Sequence, residues 1–214
     1  MQQKKSFKIN DPVTKDLLFI ALVYFFGIFG IKFFDSALFL QTSFVSIIIP
    51  LGLYLYRSKP SSKELLLLLI VYLITFSSEL IGVNTHYLYG NYDYGLSLGP
   101  SIYGVPLLIG LNWVLLAVVS RQILGRLFKN KWLIVVMSAV LMVLIDAVIE
   151  PIAPKLDFWS WENNVVPFSN YRDWFIIGII GQVLLRNIEI KKDLFFWSVG
   201  YLVVLLIFFF SFYF

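Results

Sequence analysis

Seven apolar stretches, at residues 17–34, 37–56, 65–83, 105–120, 132–149, 174–185 and 194–214, fill most of the chain. A helix needs about 20 apolar residues to cross a bilayer. Inside hydrocarbon each such segment must satisfy its own backbone polar groups. Together these constraints specify an all-α, polytopic integral membrane protein with about seven transmembrane helices. The stretch at 174–185 is the shortest and is expected to continue to Ile188. Charged residues make up only 14% of the chain, where a soluble domain carries about 25%.

The cations that remain are unevenly placed. Lys4, Lys5, Lys8 and Lys15 precede the first stretch, and Arg57, Lys59 and Lys63 separate the second from the third. Arg121, Arg126, Lys129 and Lys131 separate the fourth from the fifth, and Arg186, Lys191 and Lys192 the sixth from the seventh. By the positive-inside rule the N-terminus is cytoplasmic and the C-terminus external. The loops 84–104 and 151–173 are then external too. The net charge of +4 is thus a topology signal, and no nucleic-acid partner is expected. Residues 1–16 read as a short cytoplasmic tail and 17–214 as a single membrane domain. A multi-pass protein of the plasma membrane is expected, without a cleavable signal peptide, because the first apolar run is too long and no small-residue cleavage site follows it. The lack of cysteine excludes disulfides, thiolate metal ligands and a Cys nucleophile.

Three carboxylates sit within these stretches or at their ends: Glu79 in the third, and Asp146 and Glu150 in and just after the fifth. An ionisable group inside a membrane helix is costly and marks a functional site by default. Asp146 and Glu150 are four residues apart and share a helix face. Two anions that close in an apolar setting repel, so the pair is expected to keep one proton and to titrate as a unit. The bland alternative is that the three acids lie at the membrane surface or pair with Arg172 and Lys155.

Both external loops are long and rich in Tyr, Trp, Gly, Pro and Asn, and long loops in compact proteins are usually functional or disordered. Their aromatic content argues for order. A weak internal repeat links them. Glu79 stands thirteen residues before Tyr92-Asp93-Tyr94, and Asp146 thirteen before Trp159-Ser160-Trp161. Pro106, Asn112 and Trp113 follow in one unit, and Pro167, Asn170 and Trp174 in the other. Such units would be parallel repeats about an axis along the membrane normal. Tyr89, Tyr92, Tyr94, Trp159, Trp161 and Trp174 form an interfacial aromatic belt on the simplest reading. The alternating pairs beside turn residues read better as pocket walls, because aromatic faces stabilise a cation. Asn112 fits an interhelical hydrogen bond or the positioning of a water. His86, the sole histidine, has no metal-ligand spacing around it, and no phosphate loop or nucleophilic triad is present.

These residues resemble a known family. Glu79-Leu-Ile-Gly82, Tyr89-Gly90-Asn-Tyr92-Asp-Tyr94-Gly, Gly104-Val105-Pro106 and Asn112-Trp113 are similar to the first signature of membrane carotenoid hydratases of the CruF and bisanhydrobacterioruberin hydratase type. The stretch Asp146-Ala-Val-Ile-Glu150-Pro151, with Asp157-Phe-Trp159-Ser-Trp161, Val166-Pro167, Asn170-Tyr171 and Trp174, is similar to the second. The likeness covers roughly residues 65–185, and His86 departs from it where a small residue, often Gly, is expected. The resemblance implies addition of water to the terminal isoprenoid double bond of an acyclic carotenoid taken from the bilayer. It implies no consumed cofactor and no metal, and other carotenoid-biosynthesis enzymes as potential neighbours. Glu79, Asp146 and Glu150 are then the catalytic candidates, with Tyr89, Tyr92, Tyr94, Asn112, Trp113, Trp159, Trp161, Asn170 and Trp174 around the substrate. Two rival readings stand beside it: a membrane lycopene-type cyclase that starts with the same protonation, and a proton-coupled transporter.

Overall fold

The computed structural model describes residues 11–214; Lys4, Lys5, Lys8 and the rest of residues 1–10 lie outside the described residues. The chain forms an all-α bundle. Its helices are α1 (Pro12–Phe33), α2 (Ser36–Gln41), α3 (Val45–Ser58), α4 (Ser62–Thr85), α5 (Leu107–Leu127), α6 (Lys131–Ile149), α7 (Phe168–Leu185) and α8 (Lys192–Phe210). Among the described residues six spans are long and apolar enough to cross a membrane, with α2 and α3 making one of them across a short turn. The polar first turns of α7, with Ser169, Asn170, Arg172 and Asp173, lower its hydropathy and leave it outside that set.

Several boundaries depart from the apolar runs, for physical reasons. The first helix starts at Pro12, five residues before the hydrophobic stretch, because Pro is accommodated in the first helical turn. Asp16 there is buried and takes a forked ion pair from Arg57 on α3, at 2.6 and 2.8 Å. The helix of the fourth apolar stretch, α5, begins only at Leu107, after Pro106, and runs seven residues beyond Ser120. Arg121, expected in a cytoplasmic loop, is therefore helical and buried. Its guanidinium donates to the carbonyls of Arg186 (2.5 Å) and Ile188 (3.5 Å), tying α5 to the end of α7.

The centre of the bundle is α5, which is buried along most of its length and packs against α3, α4, α6, α7 and α8, while α1 packs on α8 and α3. Four helices carry the two repeat units, α4 with α5 and α6 with α7. Between the members of each unit the loops contribute short strands: β1 (Tyr92–Tyr94), β2 (Ser101–Ile102) and β3 (Val105–Pro106) in the first, and β4 (Trp159–Trp161) in the second. β2 and β3 close a small hairpin. β1 and β4 pair antiparallel, with Tyr92 opposite Trp161, Asp93 opposite Ser160 and Tyr94 opposite Trp159. An antiparallel ribbon is related to itself by a half-turn, here through the Asp93–Ser160 pair. Pro106 and Pro167 are the N-caps of α5 and α7, and Trp113 and Trp174, each seven residues on, stack with ring centroids 3.7 Å apart. The sequence repeat thus corresponds to two units facing each other.

The membrane orientation is tested by reporters. A fusion after Lys59 or Lys129 is expected to read cytoplasmic and one within residues 96–101 external. A protected reporter at Ser97 would invert the assignment.

Candidate active site

Each repeat unit hangs one glutamate on an aromatic pair from its own loop. Glu79, near the end of α4, accepts from the hydroxyls of Tyr92 (2.5 Å) and Tyr94 (2.8 Å) on Oε2 and from the Trp113 indole (2.9 Å) on Oε1. Glu150, which caps α6, accepts from the indoles of Trp159 (3.0 Å) and Trp161 (2.6 Å) on Oε2 and from the Asn170 amide (2.7 Å) on Oε1. In a strand, residues two apart point to the same face, so one β-strand delivers both donors to one carboxylate. Gly82, one turn beyond Glu79 on α4, makes room for this: a Cβ there would lie 2.8 Å from the Tyr92 hydroxyl and 2.7 Å from the Tyr89 ring.

Asp146 differs in kind. It accepts the second hydrogen of the Asn170 amide on Oδ2 at 2.9 Å, so that one amide joins it to Glu150. Glu79 and Glu150 each hold three neutral N–H or O–H donors, an arrangement that suits carboxylate anions; Asp146 holds one. The structural match to Glu79 is accordingly Glu150, and not Asp146 as the thirteen-residue spacing implied.

All three acids are buried, with 2%, 1% and 2% of their surface exposed for Glu79, Asp146 and Glu150. The surface reading of these residues is therefore excluded. None of the described cations pairs with them. Arg172 pairs with Asp173 at 2.7 Å, and Lys155 donates to the Phe212 carbonyl at 3.1 Å. Among the described residues no ion pair includes any of the three. Burial, followed by the charge of Glu79, pushes the Tyr92 and Tyr94 phenols well above their ordinary range, so both remain protonated donors.

A water-sized cleft of about 20 Å³ lies between the carboxyls. It is lined by the three acids and Asn170, by Tyr89, Tyr92 and Tyr94, and by Trp159, Trp161 and Trp174, with Ile109 from α5. The rings form a continuous wall: Tyr92 lies 5.0 Å from Trp161 and 5.5 Å from Tyr94 between centroids, and Tyr94 6.3 Å from Trp159. Trp113 stands behind the wall, bonded to Glu79. Asn112 is not in this cleft. It is six residues after Pro106, whereas Asn170 is three after Pro167, so Asn112 lies nearly one helical turn further along its helix than Asn170 does. Asn112 instead lines a second cavity next door.

Sequence reasoning missed three supports of the site. Asp173 accepts the Tyr89 backbone N–H at 2.7 Å, the Ser78 and Tyr89 hydroxyls are 2.7 Å apart, and Ile109 lines the cleft. A buried acid beside an arginine at the polar start of a helix was the available signal for Asp173; Ile109 gave none. His86 is exposed at the C-cap of α4 in the left-handed region, with φ 59°. That conformation favours Gly, which explains why a small residue fits the family pattern here. His86→Gly is expected to raise the thermal midpoint, by the relief of about 1 kcal/mol of strain. A lower midpoint would contradict this account.

The match to a family model described as "Carotenoid biosynthesis protein" extends over residues 39–214. A curated relative, bisanhydrobacterioruberin hydratase of Haloarcula japonica, is 29% identical over 123 residues, covering 52% of this chain and 41% of the relative. The chain therefore spans about two fifths of that relative's length. No solved structure matches significantly.

Proposed function

The chain belongs to the carotenoid biosynthesis protein family, and on that footing we propose that it is a carotenoid end-group hydratase. It adds water across the terminal double bond of an acyclic carotenoid and gives a tertiary alcohol. The observation that carries this reading is the trio of buried carboxyls, paired with no cation among the described residues, inside an aromatic wall. The relative named as a hydratase points the same way.

Asp146 is the proton donor in this reading. Its proton adds to the less substituted alkene carbon, the π electrons form the new C–H bond, and the tertiary carbon becomes cationic. Glu79 and Glu150, held as anions by three donors each, supply preorganised negative charge near that cation. The faces of Trp159, Trp161, Tyr92 and Tyr94 add quadrupole stabilisation of about 0.5–2 kcal/mol per ring. A water oxygen then bonds to the cationic carbon and its proton returns to the Asp146 carboxylate. The sum is one water added and the acid regenerated, with no cofactor consumed. A proton donor held in an apolar site is a stronger catalyst at neutral pH than a solvated, already ionised one.

Expression in a lycopene-producing host, with mass analysis of the pigments, tests the reading. The expected product gains one water at an end group. A product of unchanged mass with a ring would favour the cyclase, and unchanged lycopene would reject both.

A further inference from the structure

The cleft between the three carboxyls has room for one water molecule. It measures about 20 Å³, and an enclosed water needs at least about 10–15 Å³ on the same measure. Cavities that stay dry are lined by hydrocarbon. This one is lined by three acids, the Asn170 amide and aromatic rings, with Ile109 as the one aliphatic side chain among its lining residues.

The carboxyls have acceptor capacity left over. A carboxylate offers about four acceptor sites. Glu79 and Glu150 receive three donors each. Asp146, only 1% exposed, receives the Asn170 amide alone. Each of these donors belongs to the same repeat unit as the acid it serves, so none of these bonds spans the cleft. Unsatisfied acceptors at this depth are costly. A group that spans the cleft must therefore be as small as a water and carry hydrogens to donate. A metal ion suits less well, since among the described residues no three acidic or histidine side chains are grouped to hold one.

We propose that the cleft holds one ordered water, bridging Glu79 in one unit to Asp146 and Glu150 in the other, and that this is the water added to the substrate. Its chemistry rests on the hydratase reading; its presence does not. A buried water makes about three hydrogen bonds. Here it donates its two O–H groups to the Glu79 and Glu150 carboxylates and accepts from the protonated Asp146. When Asp146 gives its proton to the alkene, a lone pair on the water oxygen is released to bond to the tertiary carbon. The Asp146 carboxylate left behind then takes one proton from that oxygen, which restores the acid and leaves a neutral alcohol. A water stored against the acid reaches the cation before the chain's own alkene does, and this separates hydration from ring closure.

The test uses the full chain in lipid vesicles and magic-angle-spinning NMR, with magnetisation passed from water protons to carbon-13 carboxyls. Glu79→Gln, Asp146→Asn and Glu150→Gln assign the three signals. Because these acids are buried from bulk solvent, transfer to Glu79 and Glu150 is the expected mark of a water in the cleft. No transfer to either would overturn the site. Ile109→Phe enlarges a wall residue without removing a hydrogen bond, and is expected to abolish the transfer; Ile109→Val should keep it. Undiminished transfer in a folded Ile109→Phe protein would also overturn the site. For the role of the water, lycopene is the probe and the reaction is run in D2O. Ile109→Phe is expected to form the alcohol at least about tenfold more slowly, while recovered lycopene still acquires deuterium at its terminal alkene. Undiminished hydration in this variant, or loss of both signals together, would take the reacting water out of the cleft. Water transfer in an unmodified chain that neither hydrates nor deuterates lycopene would sink the hydratase reading and leave the water site standing.

Discussion

Replacing Asp146 by Asn is expected to slow hydration by about 10²–10⁴-fold, the usual contribution of a positioned general acid, with little change in stability. The amide is nearly isosteric, and its oxygen can still accept from Asn170 as the Asp146 carboxyl does at 2.9 Å. Its N–H stands where the O–H of the protonated acid would be. What it cannot do is give up that hydrogen to an alkene. The measurement is the initial rate in vesicles at saturating carotenoid, beside a thermal melt. A folded Asp146→Asn protein with near-normal turnover would end the assignment. Glu79→Gln and Glu150→Gln should be less severe for the proton transfer itself, since each removes a fixed anion and leaves the donor in place.

Trp161→Phe should cost roughly 10- to 150-fold in rate, the equivalent of the 1.5–3 kcal/mol assigned to a hydrogen bond with a charged group. The aromatic face survives this change, but Glu150 loses its shortest donor, at 2.6 Å. The sequence alone shows Trp159 and Trp161 only as ring faces, not as donors to Glu150. If the indole works through Glu150, Trp161→Phe should add little on top of Glu150→Gln, and the double-mutant cycle should be strongly non-additive. Additive losses would mean that the ring acts on the substrate by itself. Trp161→Leu, which removes face and donor together, should be slower than Trp161→Phe.

Much of this site could be read from residue order. Local chemistry made it legible: acids in apolar helices are rare enough to name themselves, and Tyr92-x-Tyr94 and Trp159-x-Trp161 show their common face through strand periodicity. Helix ends were less legible. Arg121 looks like a loop cation because charge usually marks the end of an apolar run, yet it is buried against the carbonyls of Arg186 and Ile188. Asn112 looked equivalent to Asn170 because both precede a tryptophan, while their offsets from Pro106 and Pro167 differ by nearly one helical turn.

The chain's own order of residues determined the all-α membrane architecture, the two aromatic loops and the identity of the three acids. These follow from hydrophobic run length and from the cost of charge in lipid, which act on each segment separately. Only the tertiary structure decided how differently the three acids are held. That depends on how many donors each carboxyl receives, and the donors come from other segments: Trp113 on α5 for Glu79, β4 and α7 for Glu150, and Asn170 alone for Asp146. Pairing of β1 with β4 and stacking of Trp113 on Trp174 bring the two units together. Contacts across such sequence distances are set by packing, which no single run of residues encodes.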